Sequence, residues 1–162
     1  ISIGFILAGL FFMFKFDIIK AFVATLPVVL IIGWSALSMY ALSMKYTPLT
    51  AALGALVIAI GVEFTILLMS RYYEERGKGE DPILAMTTAM TRIGRAITAS
   101  ALTTIGGFAA LLFAFDFTIL QDFGIITMIN VFFALAVTIL VLPSLVVIVD
   151  RWRERRKQAR TK

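Results

Sequence analysis

Polar positions are sparse along this chain and gathered into clusters. Between the clusters lie apolar runs at 21–44, 47–70, 96–115 and 123–149. Each is near or above the roughly 20 residues that a helix needs to cross the hydrocarbon of a bilayer. The last is long enough to tilt or to project beyond it. A further run, 1–14, is apolar as well, but about 14 residues make only about 21 Å of helix. It starts without an initiator Met and reads as the remaining part of a spanning helix of something longer. A signal-peptide core is the alternative, yet no basic start or small-residue cleavage site goes with it.

The punctuation agrees with these limits. Thr47-Pro48 opens the third segment, with proline suited to a first helical turn. Gly77-Lys78-Gly79 breaks the chain, and Asp81-Pro82 supplies an N-cap followed by proline. From there Ile83, Met86, Met90, Ile93 and Ile97 recur at steps of three and four, while Thr87, Thr88, Thr91 and Arg92 fall on other faces. The pattern predicts an amphipathic helix over 82–94 that lies on the membrane interface and then turns into the segment at 96. The fold expected is all-α: a polytopic membrane helix bundle of about five transmembrane segments with one interfacial amphipathic helix. Residues 1–150 form the bundle and 151–162 a basic tail.

Charge then sets the orientation. Five crossings place the connections 15–20 and 71–95 and the tail from 150 on one side, and these carry every Lys and Arg except Lys45. Basic residues mark the cytoplasmic side, so the C-terminus is expected in the cytoplasm and the chain in the cell (inner) membrane. The formal net charge of +5 is thereby explained by topology and anionic lipid, and nucleic acid is not expected as a partner. Tyr72, Tyr73 and Trp152 stand at the cytoplasmic borders and read as interfacial anchors. Arg71, Glu74, Glu75 and Arg76 read as a solvated helix end.

Composition narrows the chemistry. With 60% hydrophobic and 15% charged residues, against about 45–50% and about 25% in soluble domains, a water-soluble domain is excluded. There is no Cys and no His. Thiol nucleophiles, imidazole bases, a Ser-His-Asp triad and thiolate zinc sites are therefore ruled out. No metal site, organic cofactor or enzymatic constellation is expected.

One residue breaks the apolar rule. Glu63 lies eight residues before Arg71, about 12 Å into the membrane by helical rise. A carboxylate at such depth costs about 3 kcal/mol or more on insertion scales, so it must face protein or water. Because hydrocarbon penalises its charged form, a change of surroundings would load or release its proton. Glu63 sits on a stripe with Ala52, Ala55, Ala59, Ile66 and Ser70, and the next segment has its own at Ala96, Ser100, Thr103, Gly107, Ala110 and Ala114. Small residues let membrane helices approach closely, so these stripes are candidate packing faces. Thr103 and Thr104 match Glu63 in depth, with Ser100 one turn nearer the cytoplasm; they either join a proton relay or bond back to their own helix carbonyls. Asn130, in the fifth segment, is expected to bond a neighbouring helix.

These residues carry a resemblance. Gly61-Val62-Glu63-Phe64, leading into Ser70-Arg71-Tyr72-Tyr73-Glu74-Glu75-Arg76, resembles the fourth or tenth helix of resistance-nodulation-division (RND) transporters. The similarity is greatest to the branch of the mycobacterial membrane protein large and hopanoid transporters. Ala99-Ser100-Ala101-Leu102-Thr103-Thr104-Ile105-Gly106-Gly107-Phe108 resembles the following helix, and Leu142-Pro143 the final one. The resemblance implies that Glu63 is the intramembrane acid of a proton relay and that Thr103 or Thr104 supplies a neighbouring hydroxyl. Phe64 stands where the family more often has tyrosine, so no phenol takes part at that position. It further implies the C-terminal half of a two-half exporter driven by protons, with lipids or other hydrophobic molecules as substrate. The other half, its extracytoplasmic domains, membrane lipids and further copies of the chain are the partners implied. A sterol-sensing, Patched-like lipid-binding module and a SecD/SecF-like export accessory share the helix plan and remain as alternatives.

Overall fold

The computed structural model describes residues 18–44 and 48–160. The apolar run 1–14, the turn holding Lys15 and Asp17, Lys45 and the last two residues lie outside the described residues. The described residues form helices joined by short turns, with no strand among them. Helix α1 runs Ile18–Ala41, α2 Pro48–Gly77 and α3 Pro82–Ala109. A 3₁₀ turn at Ala110–Phe113 leads to α4, Thr118–Ala136, which passes through a π-turn at Val137–Val141 into α5, Leu142–Arg160. Among the described residues, four stretches are long and apolar enough to cross a membrane, with α4, the π-turn and α5 making the last of them.

The helix limits follow from local chemistry. Helix α1 ends in a turn where Met44 N–H donates to the Met39 carbonyl and Ser43 takes a positive φ of 50°, the left-handed residue of a Schellman-type stop. Gly79, at φ 90°, closes α2 in the same spirit, where a residue without Cβ is least strained. Asp81 then caps α3, its carboxylate accepting from the Ile83 N–H at 3.0 Å, with Pro82 in the first turn. The π-turn sits just ahead of Pro143, which has no N–H to give and whose ring crowds the preceding turn. Widening the helix by one residue there relieves that crowding; Leu142 N–H reaches back to the Val137 carbonyl.

One expectation needs correction. The amphipathic stretch 82–94 does not lie flat and then turn; Pro82–Ala109 is one unbroken helix of 28 residues. The physical reason is that Gly94 is the sole weak point between the two parts, and a lone glycine is tolerated inside a helix. At about 42 Å, α3 outreaches the hydrocarbon, and its first turns stay packed in the bundle, with Pro82, Ala85, Met86 and Ala89 buried. The basic tail likewise continues α5 as helix as far as Arg160.

Helix α2 is the centre of the bundle, packed against α1, α3 and α4. Its inner face is Leu53, Val57, Gly61, Phe64, Leu68 and Tyr72, all buried, at steps of three and four. Ala24 and Ile31 of α1, Ala89, Ile97 and Ala101 of α3, and Val131, Ala134, Leu142 and Val146 of the last rod complete the main core. Ile31 of α1 packs directly onto Gly61, where an added Cβ would come within 2.9 Å of the Ile31 Cδ1. Helix α3 is the least covered: only 11% of its most apolar window is buried.

Candidate functional site

Glu63 lies on the opposite side of α2 from this core. Ala52, Ala55, Ala59, Glu63 and Ser70 are all exposed in the folded chain, and so are Ala96, Ser100, Thr103 and Gly107 on α3 and Ala110 in the 3₁₀ turn after it. The two small-residue stripes therefore do not make the α2–α3 contact; the bulky inner face of α2 does, against Ala89, Ile97 and Ala101. The reason is burial: in a helix apolar on every side, large side chains gain most by packing together, leaving the small face outward. Glu63 is thus presented on an exposed face of small residues rather than enclosed within these helices.

The hydroxyls of Thr103 and Thr104 are each engaged with their own helix. Thr103 Oγ1 donates to the Ala99 carbonyl and Thr104 Oγ1 to the Ser100 carbonyl, both at 2.9 Å. This is the back-bonding arrangement, and it leaves each oxygen able only to accept from elsewhere. Ser100 is exposed beside them. Asn130 does not make the expected bond to a neighbouring helix: it is buried, and neither amide atom has a partner among the described residues. Thr65 and Thr138 are buried with unpartnered hydroxyls as well.

At the basic end, α2 runs on past its apolar stretch into a network of ion pairs centred on a buried carboxylate, rather than the expected solvated helix end. Glu75 is only 2% exposed. It accepts from Lys78 Nζ at 3.0 and 2.9 Å and from Arg71 Nη2, with Arg92 Nη1 of α3 at 3.6 Å. Those cations, Lys78 foremost, hold its carboxyl below the ordinary range against the opposing effect of burial. Arg76 binds the last helix, Nε donating to Asp150 Oδ2 at 2.7 Å and Nη2 to Glu154, while Nη1 reaches the Glu80 carbonyl. Burial works against its charge, but the bonds to Asp150 and Glu154 outweigh this and raise its pKa.

Tyr72 is corrected too. It is fully buried, not anchored at the membrane border, and its hydroxyl donates to the same Asp150 Oδ2 at 2.7 Å. Burial, then the Asp150 carboxylate, push that phenol well above its ordinary value. Tyr73 stacks edge-on against Tyr72 with Lys20 over its ring, and Trp152 is half exposed under Arg156. The signal for this cluster was present in the i, i+3 and i, i+4 spacing of Arg71, Glu74, Glu75 and Lys78; the partners Asp150 and Glu154, far away in sequence, gave none.

The profile of the MMPL family matches residues 17–162. The chain belongs to the MMPL family. Among its relatives, a protein described as a membrane protein of Methanocaldococcus jannaschii is 34% identical over 126 residues, 78% of this chain and 32% of that one. The membrane protein ActII-3 of Streptomyces coelicolor is 35% identical over 62% of this chain and 14% of its own length. The sulfolipid-1 exporter MmpL8 of Mycobacterium tuberculosis is 29% identical over 61% of this chain and 9% of its own. The chain thus spans about a third or less of these MMPL-family relatives. No solved structure matches it. Family membership and the four apolar helices together make it a multi-pass membrane protein.

Proposed function

We propose that this chain is the proton-coupling membrane part of a transporter that exports lipids or other hydrophobic molecules at the expense of a proton gradient. The observation that carries the reading is Glu63, an acid about 12 Å from the basic end on an exposed face of small residues. Facing hydrocarbon, its carboxylate would cost about 3 kcal/mol or more. A second helical surface, from the other half of the same transporter, is therefore the natural cover, and small residues let it come close. Protonation neutralises the acid and favours tight apposition; loss of the proton toward the cytoplasm favours a hydrated, looser arrangement. The alternation moves one half against the other and drives the extracytoplasmic domains that handle the substrate. Thr103 and Thr104 contribute acceptor oxygens on the neighbouring helix, and Ser100 a hydroxyl nearer the cytoplasm. The sulfolipid-1 exporter among the relatives supports lipid as the substrate class.

The test is proton-gradient-dependent lipid flux in vesicles by the full-length transporter. Glu63→Gln, which keeps shape and removes the titration, is expected to abolish the gradient-dependent part while the protein still inserts and folds. Flux at the normal rate would remove Glu63 from the mechanism.

A further inference from the structure

At the basic end, on a surface that proton coupling does not use, a groove of about 540 Å³ runs between α3 and the π-turn. Gly94, Arg95, Thr98 and Leu102 form one wall, at the spacing of a single helix face, and Ile139 stands opposite. The size suits a small-molecule site, but the groove is open along its length and its lining is mostly apolar. The groove is open beside Gly94, where an added Cβ would meet nothing within 4 Å. The Thr98 hydroxyl is turned onto the Gly94 carbonyl at 2.8 Å, which leaves Arg95 as the strong polar group. Arg92, a turn earlier, is engaged by Glu75 at 3.6 Å, whereas Arg95 is exposed and makes no ion pair among the described residues. Leu102 stands seven residues beyond Arg95, so the trough rises about 10 Å from the cation into the apolar stretch.

We infer that this groove binds an anionic phospholipid of the cytoplasmic leaflet, its phosphate on Arg95 and one acyl chain along Gly94, Thr98, Leu102 and Ile139. Charge complementarity decides the occupant. A cation at headgroup depth beneath an apolar trough matches a molecule with a negative head and a hydrocarbon tail. A helix from elsewhere would have to bring an acidic side chain to the same spot. The bound lipid braces α3, the least covered helix, against the widened turn. The inference stands apart from Glu63 and from the transported substrate.

The experiment reconstitutes the full-length protein in phosphatidylcholine nanodiscs containing a small fraction of a lipid with a photoactivatable acyl chain. The labelled lipid is either phosphatidylglycerol or phosphatidylcholine, and adducts are mapped by mass spectrometry. Adducts on the segment around Leu102 and Ile139 are expected at about fivefold higher yield with phosphatidylglycerol, the factor for one basic residue at a membrane surface. Arg95→Gln should bring that yield down to the phosphatidylcholine level, and Arg95→Lys should keep most of it. Gly94→Leu should suppress adducts from both lipids by filling the trough. Equal yields from the two lipids, a preference that survives Arg95→Gln, or no adducts in the groove because another part of the protein covers it would each overturn the inference.

Discussion

Tyr72, Glu75 and Arg76 occupy one turn of α2; Tyr72 and Arg76 owe their state to partners that sequence separation hides, Glu75 chiefly to its near neighbours Lys78 and Arg71. The Tyr72 hydroxyl meets Asp150 across 78 positions. Tyr72→Phe removes one hydrogen bond to a carboxylate while keeping the ring, so it should lower unfolding free energy by about 1–2 kcal/mol, read from thermal unfolding in detergent. Glu75 gives a pH signature. Its carboxyl is held below the ordinary 4.5 in the folded chain, so its contribution to stability is complete above that value. It is lost as pH falls through the depressed one, because the unfolded chain takes up the proton first. A melting-temperature profile should therefore show an acid limb that Glu75→Gln flattens. An unchanged limb would mean that other carboxylates set it.

At the scale of elements, glycines separate close approach from open space. A Cβ on Gly124 of α4 would come within 3.0 Å of both Leu111 Cβ and the Phe108 carbonyl oxygen, atoms tied to backbone that have little room to yield. Gly124→Ala should cost about 1 kcal/mol or more, overpacking exceeding the gain in helix propensity. Gly107 faces nothing within 4 Å, so Gly107→Ala in the isolated chain should be neutral or stabilising by up to about 1 kcal/mol; denaturant unfolding of the two variants side by side checks the contrast. The four described spanning helices were readable because runs of about 20 apolar residues leave the backbone in lipid no other solution. Whether 82–94 bends was not readable, since that depends on neighbouring helices giving α3 something to lie against.

For the whole molecule, the decisive fact is that α2 has two apolar faces and the bundle uses the bulky one. The small face, bearing Glu63, is left for a surface outside these helices, which is where we propose the other half sits. Ala59→Leu tests this without touching the acid. It should leave the stability of the isolated chain within about 0.5 kcal/mol, as exposed positions usually do, yet reduce transport by the full-length protein. Equal transport in wild type and variant would place the second half elsewhere.

Sequence alone determined that this chain is a membrane helix bundle, where its described spanning helices fall and that a single acid, Glu63, stands within an apolar run, because water and hydrocarbon sort residues by polarity before any packing occurs. It also carried the family, through the residues around Glu63 and Thr103. Which face of each helix turns inward was decided only by tertiary structure. Inside a membrane both faces are apolar, so polarity no longer marks the core; size, shape and close approach do. Likewise Asp150 reaches Tyr72 only once α5 is in place, and Arg92 reaches Glu75 only once α3 is.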